Sequence, residues 1–190
     1  KQVLGEGAGK ALKPADLKGS DIAFLQYTGG TTGIAKGAVL THKNLLSNKL
    51  QLELWLRSAF DKKPRPDVLN FLCALPLYHI FALTVNSLMG MSLGAHNILV
   101  ANPRDIPALV KEFGKLKIHI FPGLNTLFNA LMNNADFAKV DFSSMVMSLG
   151  GGMAVQRPVA ERWLKITGSH ITEGYGLSET SPVATANRFD

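Results

Sequence analysis

Between Val68 and Pro103 the chain carries no Asp, Glu, Lys or Arg. So long a stretch without formal charge has two physical homes, the hydrocarbon of a membrane or the interior of a domain built from strands and helices. The residues inside it favour the second. Pro76, His79, Asn86, Gly90 and Gly94 divide it into a strand, a helix and a strand, each too short to span a bilayer. Interior strands joined by a buried helix point to an α/β fold, a layered sandwich with a largely parallel sheet.

The rest of the chain repeats that alternation. Ile22–Tyr27 reads as a buried strand and Ala38–Thr41 as a second one. Asn44 to Phe60 is leucine-rich and reads as a helix ending before Pro64, and Val68 to Pro76 as a buried strand. Asp105 caps a helix with Pro107 in its first turn, and Ile106, Leu109, Val110 and Phe113 give it one apolar face. A strand over Ile118–Phe121 precedes a helical stripe of Leu124, Leu127, Phe128, Leu131 and Met132, and a strand over Met145–Leu149 runs into Gly150-Gly151-Gly152. Val155, Val159, Trp163 and Ile166 mark a helix that Gly168 ends, and His170–Thr172 opens the last strand. Residues 1–20 form a polar lead-in whose Gly5-Glu6-Gly7-Ala8-Gly9 run reads as a flexible tether. Residues 21–190 read as a single α/β domain, incomplete at its C-terminal end, whose ligand the motifs below indicate.

The composition excludes several functions. A hydrophobic content of 46% argues against disorder, and the single cysteine, Cys73, rules out a disulfide framework and reads as a buried thiol. A net charge of +6 suits nucleotides, coenzyme A or an anionic membrane surface. The densest basic cluster, Arg57, Lys62, Lys63 and Arg65, reads as a solvated loop, and no basic stretch is interleaved with aromatics as a nucleic-acid module would be. The histidines show no zinc spacing.

The chemistry concentrates after the first strand. Thr28-Gly29-Gly30-Thr31-Thr32-Gly33-Ile34-Ala35-Lys36 packs hydroxyls, glycines and a lysine into one loop. Glycine lets successive N–H groups converge on one point, and converging N–H groups, hydroxyls and a lysine suit a polyphosphate. The loop is not a Walker A motif: counted from Gly30, the chain offers Ala35-Lys36-Gly37 where Gly-Lys-Ser/Thr belongs. A dinucleotide fingerprint fails too, because Lys10 follows Gly9 where the last glycine is needed. Three glycine-bearing segments, Gly29–Gly33, Gly150–Gly152 and Gly174–Gly176, lie just beyond predicted strands, so one nucleotide could touch all three.

Tyr27 to Gly37 resembles the phosphate-binding loop of the adenylate-forming enzymes, and Gly29, Ala35 and the following Gly37-Ala38-Val39-Leu40-Thr41-His42 look most like bacterial long-chain fatty acid–CoA ligases. Pro76-Leu77-Tyr78-His79-Ile80-Phe81 and Glu173-Gly174-Tyr175-Gly176-Leu177-Ser178-Glu179-Thr180 resemble two further family motifs, in the right order, so the likeness runs from about Asp21 to Asp190. It implies ATP-dependent activation of a long-chain fatty acid to acyl-adenylate and then acyl-CoA, with ATP, Mg²⁺ and coenzyme A as the small molecules. Thr28, Gly29, Gly30, Thr31, Thr32 and Gly33 would hold the β- and γ-phosphates. Tyr175 would stack on adenine opposite Gly150, Gly151 and Gly152, within the segment Glu173, Gly174, Tyr175 and Gly176. Ser178 stands where the family usually has threonine, which leaves a hydroxyl for phosphate, and Glu179 would bind Mg²⁺. His79 would border the site where carboxylate meets ATP. Lys36 would add positive charge or anchor the loop to a carboxylate such as Glu179.

The family's ribose-binding aspartate, hinge arginine and C-terminal lysine are not found here. An opening on Lys1 and an ending just past Pro182 fit an internal fragment with little or no activity of its own. The whole enzyme is expected in the cytoplasm, with peripheral contact at the inner face of the membrane and homodimerisation left open. The competing reading is a stand-alone ATP/AMP-binding regulatory module without ligase activity.

Overall fold

A computed structural model of the chain describes residues 2–28, 36–61 and 63–189. It opens with a short exposed helix, α1 (Gln2–Gly7), where a tether is expected; the Gln2 amide donates to the Glu6 carboxylate one turn on, at 3.0 Å. β1 (Ile22–Tyr27) and β2 (Gly37–Thr41) then pair as an antiparallel hairpin, so the hydroxyl- and glycine-rich loop does join strand to strand. β1 is not the buried strand its composition implies: Ile22, Leu25 and Tyr27 are exposed, because the hairpin forms a two-stranded sheet of its own. Thr41 ends β2 and caps α2 (His42–Arg57) through a reciprocal pair with Asn44, the Thr41 hydroxyl accepting from the Asn44 N–H and the Asn44 side chain from the Thr41 N–H.

A 3₁₀ turn, Ser58–Asp61, leads to β3 (Asn70–Cys73). The basic loop between them is more than solvated: the Lys63 ammonium donates to the Ser143 and Met145 carbonyls and Arg65 to that of Leu93. The uncharged region then continues as α3 (Ile80–Ala82), a π-helical stretch over Leu83–Met89, α4 (Gly90–Ser92) and β4 (His96–Leu99), the expected strand, helix and strand. No helix among the described residues is long and apolar enough to cross a membrane. Three helix–strand repeats follow: α5 (Ile106–Lys115) and β5 (Ile120–Gly123), α6 (Asn125–Met132) and β6 (Met147–Gly150), α7 (Arg157–Thr167) and β7 (Ile171–Gly176). The Asp105 carboxylate accepts from the Ala108 N–H and starts α5 as expected, and Gly168, at φ 69°, ends α7. β7 is not the last strand. After a turn, β8 (Val183–Ala186) returns antiparallel to it, a four-residue strand whose Val-Ala-Thr-Ala gives little periodic signal.

The sheet runs β4-β3-β5-β6-β7-β8, parallel except at β8. Alternation along the strands feeds two cores. Leu72 and Phe121 face α5, α6 and α7, while Phe71, Ile120, Met147 and Leu149 face α2 and the Leu83–Met89 stretch. The site lies at the carboxyl ends of the strands, on the α2 side.

Candidate functional site

The turn from β7 to β8 is built around Thr180. Its hydroxyl accepts from the Leu177 N–H at 2.8 Å and is bonded to the carbonyls of Leu177 and Pro182. A Cβ on Gly176 would run into the Pro182 carbonyl oxygen, so the turn can close this tightly only on glycine. The result presents Ser178 and Glu179 on a 3₁₀ turn at the end of β7. Opposite, the chain leaves β6 through Gly151 and Gly152, the latter at φ 73°, a left-handed conformation that side chains disfavour. From a third direction, His79 caps α3: its Nδ1 accepts from the Phe81 N–H at 3.2 Å. A neutral His79 in this role carries its proton on Nε2. The Gln26 amide of β1 donates to the Tyr78 carbonyl at 2.9 Å, fixing the hairpin beside the histidine.

These elements enclose a cavity of about 370 Å³, within the range of small-molecule sites. Thr28, His79, Gly151, Gly152, Gly174, Tyr175, Gly176, Ser178 and Glu179 all line it, so most of the residues singled out in the sequence converge on one space. Tyr175 is 64% exposed and, with Gly152, also borders an adjoining depression walled by Met153, Ala154 and Glu173. Among the described residues Glu179 makes neither a hydrogen bond nor an ion pair, although it lines the cavity beside Ser178.

Three residues stand apart. Gly150 does not line the cavity; it packs against Val155 and Ile171. One Glu173 carboxylate oxygen accepts from the Val155 N–H at 2.9 Å, tying β7 to the segment after β6. Lys36 is exposed at the base of the hairpin loop and pairs with no carboxylate among the described residues, Glu179 included; its carbonyl closes the loop by accepting from the Thr28 N–H at 2.9 Å. Gly29, Gly30, Thr31, Thr32 and Gly33 lie outside the described residues.

The sequence missed the other wall. Leu52 and Trp55 of α2, with Val183 and Ala186 of β8, line the cavity, and α2 is tied to β8 and to the residue just past it. The Asn48 amide donates to the Val183 carbonyl at 2.7 Å and accepts from the Val183 N–H at 3.2 Å, and the Trp55 indole donates to the Asn187 carbonyl at 3.0 Å. No local pattern marks partners so far apart in the chain. The burial of Asn48 in a helix otherwise buried on leucines is the nearest thing to a signal.

Known proteins share this fold. A family model described as AMP-binding enzyme matches residues 2–190. The long-chain-fatty-acid–CoA ligase of Escherichia coli O6:H1 is 52% identical over 179 residues, 94% of this chain and 31% of the relative. That of Yersinia pestis is 50% identical over 188 residues, 99% of this chain and 33% of the relative. The crystal structure of ATP-bound MatB from Rhodopseudomonas palustris matches with a TM-score of 0.81 at 26% identity, over 100% of this chain and 35% of that one. The chain thus spans about a third of the length of the curated relatives it matches.

Proposed function

The chain belongs to the AMP-binding enzyme family, and on that premise we propose that it is the nucleotide-binding part of a long-chain fatty acid–CoA ligase. The observation that supports this reading is the convergence of Thr28, His79, Gly151, Gly152, Tyr175, Ser178 and Glu179 on one cavity beyond the carboxyl ends of β6 and β7, where open α/β sheets bind ligands. The names of the relatives supply the reaction class.

In the first half-reaction a fatty carboxylate oxygen attacks the α-phosphorus of ATP, the bond to the bridging oxygen breaks, and pyrophosphate leaves. In the second, the thiol sulfur of coenzyme A attacks the acyl carbon and AMP leaves. A carboxylate needs no general base, so the task of the first step is to bring two anions together, through positioning and charge neutralisation. The Thr28 and Ser178 hydroxyls and the loop ending at Lys36 would hold phosphate oxygens. The Nε2–H of His79, left over by its capping bond, would donate to the carboxylate or to the phosphate it attacks. Tyr175, with the Gly151–Gly152 backbone across from it, would offer adenine a flat face.

The residues fit a magnesium ion. Glu179 lines the cavity beside Ser178 with no hydrogen bond or ion pair among the described residues, and a hard cation that takes most of its ligands from water and phosphate oxygens needs only one or two carboxylates. Bound there, Mg²⁺ would offset phosphate charge. The apolar part of the cavity, Leu52, Ile80, Phe81, Leu149 and Val183, is the proposed seat of the acyl chain. The whole enzyme would act in the cytoplasm, drawing its substrate through peripheral contact with the inner face of the membrane, and as a homodimer if it self-associates.

The test is calorimetric titration of MgATP into the chain and into a Glu179→Ala variant. Saturable binding to the first, weakened about tenfold or more in the second, is expected from loss of the only carboxylate proposed to hold the metal. A folded chain that gives no heat with MgATP overturns the reading of the cavity as a nucleotide site.

A further inference from the structure

We propose that Trp55 is the end wall of the acyl site and sets the longest fatty acid the cavity accepts. The inference rests on the reading of the cavity as the place of the acyl chain, and it adds the residue that limits it.

The cavity has a polar end and an apolar end, and the β7–β8 register shows which is which. Gly176 lies opposite Val183 next to the turn that carries Ser178 and Glu179; Gly174 lies opposite Ala186, further from that turn. α2 follows β8 in the same direction, bonded to Val183 through Asn48 and to Asn187 through Trp55. Trp55 therefore lies at the end remote from Glu179, where Leu52 and Ala186 also line the space and, among the described residues, no charged side chain does. An acyl group with its carboxylate beside His79 and its chain directed away from the phosphates would run toward the indole.

Trp55 is held as a wall must be. The indole N–H is committed to the Asn187 carbonyl at 3.0 Å, and the ring leans on Phe189 with centroids 4.3 Å apart and planes 38° from parallel. A hydrogen bond at the indole nitrogen and a ring-on-ring contact together leave it little freedom to swing aside. A large, fixed aromatic ring at the apolar end of a cleft discriminates by length: each methylene that finds room gains affinity, and the first that meets the ring gains none.

The experiment is calorimetric titration of saturated fatty acids, octanoate to stearate, into the chain and into Trp55→Ala and Ala186→Leu variants, with near-ultraviolet circular dichroism confirming that each is folded. In the unaltered chain, affinity is expected to rise about fourfold per methylene and then level off at one chain length. Trp55→Ala moves that break to longer chains and tightens stearate about tenfold, while Ala186→Leu, narrowing the same end from β8, moves it to shorter chains and weakens palmitate about tenfold. If Trp55→Ala does not fold, the Ala186→Leu result decides. Binding with a length break that stays put in the variants overturns the role of Trp55 and leaves the acyl site standing. An unaltered chain that binds no fatty acid overturns the acyl site itself, and the wall with it.

Discussion

Over one face of the sheet, α5, α6 and α7 bury Phe113, Phe121, Phe128, Phe137, Phe142 and Trp163 in mutual ring contact, mostly edge to face. Over the other, α2 and the helical stretch from Ile80 to Ser92 pack mostly aliphatic side chains, with Phe71 and Phe81, around a cavity, and the ring contact there among the described residues is Trp55 on Phe189. Polar groups divide the same way. On the aromatic face the buried Ser148 hydroxyl accepts from the Trp163 indole at 2.9 Å and also meets Ser169. The buried Thr84 hydroxyl and the Asn86 amide, both in the π-helical stretch on the other side, have no hydrogen-bond partner among the described residues. The aromatic face pairs its buried hydroxyls, whereas the face that holds the cavity carries unpaired ones among the described residues. Wide π turns and unpaired buried groups concentrate at functional sites in general, and here both fall on the face that holds the cavity.

The largest expected effect tests that division directly. Trp163→Ala removes a fully buried indole from the aromatic face and should cost about 3–5 kcal/mol in urea unfolding. Phe81→Ala, which lines the cavity, should cost less than half as much, because fewer neighbours touch that side of its ring; equal losses would dissolve the distinction. Next comes the seam between α2 and β8. Asn48→Ala should cost roughly 1–3 kcal/mol, since it leaves both backbone groups of Val183 unpaired in a part-buried place. Hydrogen exchange at the Val183 amide should quicken by more than at the core of β6.

A paired comparison of hydroxyls is smaller but sharper. Ser148→Ala should destabilise by about 1–2 kcal/mol, because the Trp163 indole loses its acceptor, whereas Thr84→Val should be neutral or stabilise by about 1 kcal/mol. If both destabilise equally, a water or a ligand satisfies Thr84 in solution. The smallest effect belongs to His119. Burial, aided by the charge of Lys117, holds its imidazole below the ordinary histidine range, and its Nδ1 accepts from the Asn70 N–H at 2.9 Å. The unfolded chain then takes up a proton before the folded one does, so this contribution is intact above the ordinary histidine pKa of about 6.5 and is lost as the pH falls below it. His119→Asn, which keeps an acceptor for Asn70, should flatten the dependence of the urea midpoint between about pH 7 and pH 5.

What was legible in the sequence was whatever a local pattern can encode. The helical stripes of α5 and α6, the Asp105 cap and the Gly168 stop appear as expected, because burial on one face writes itself at fixed spacing. Val155, read as part of the α7 stripe, instead lies two residues before that helix and packs on the core from the preceding segment. β1 misled because an apolar run says that a strand is suited to burial, not that anything covers it. β8 was too short to show a period, and the π turn uses the same apolar residues as an α-helix. At the site, the residues between strand and glycine turn were visible: His79, Tyr175, Ser178 and Glu179 meet as their motifs imply. Gly150 and Glu173 belong to the same motifs yet serve packing and a loop bond. Asn48 and Trp55 were invisible, because their partners are set by how β8 returns and not by their neighbours.

Thr41, Asn48 and Trp55 stand seven residues apart, two helical turns each, and every one is bonded: to the start of the helix, to Val183 and to Asn187. Because Thr41 is also the last residue of β2, no slack separates hairpin from helix. One residue inserted or deleted between 41 and 55 would turn everything beyond it by about 100°, swinging Trp55 out of the cavity or Asn48 away from Val183. Evolution can therefore change the residues of α2 but not count them differently. Length variation among relatives should gather in the stretch from 62 to 69, where the chain re-enters the sheet, and leave α2 without gaps.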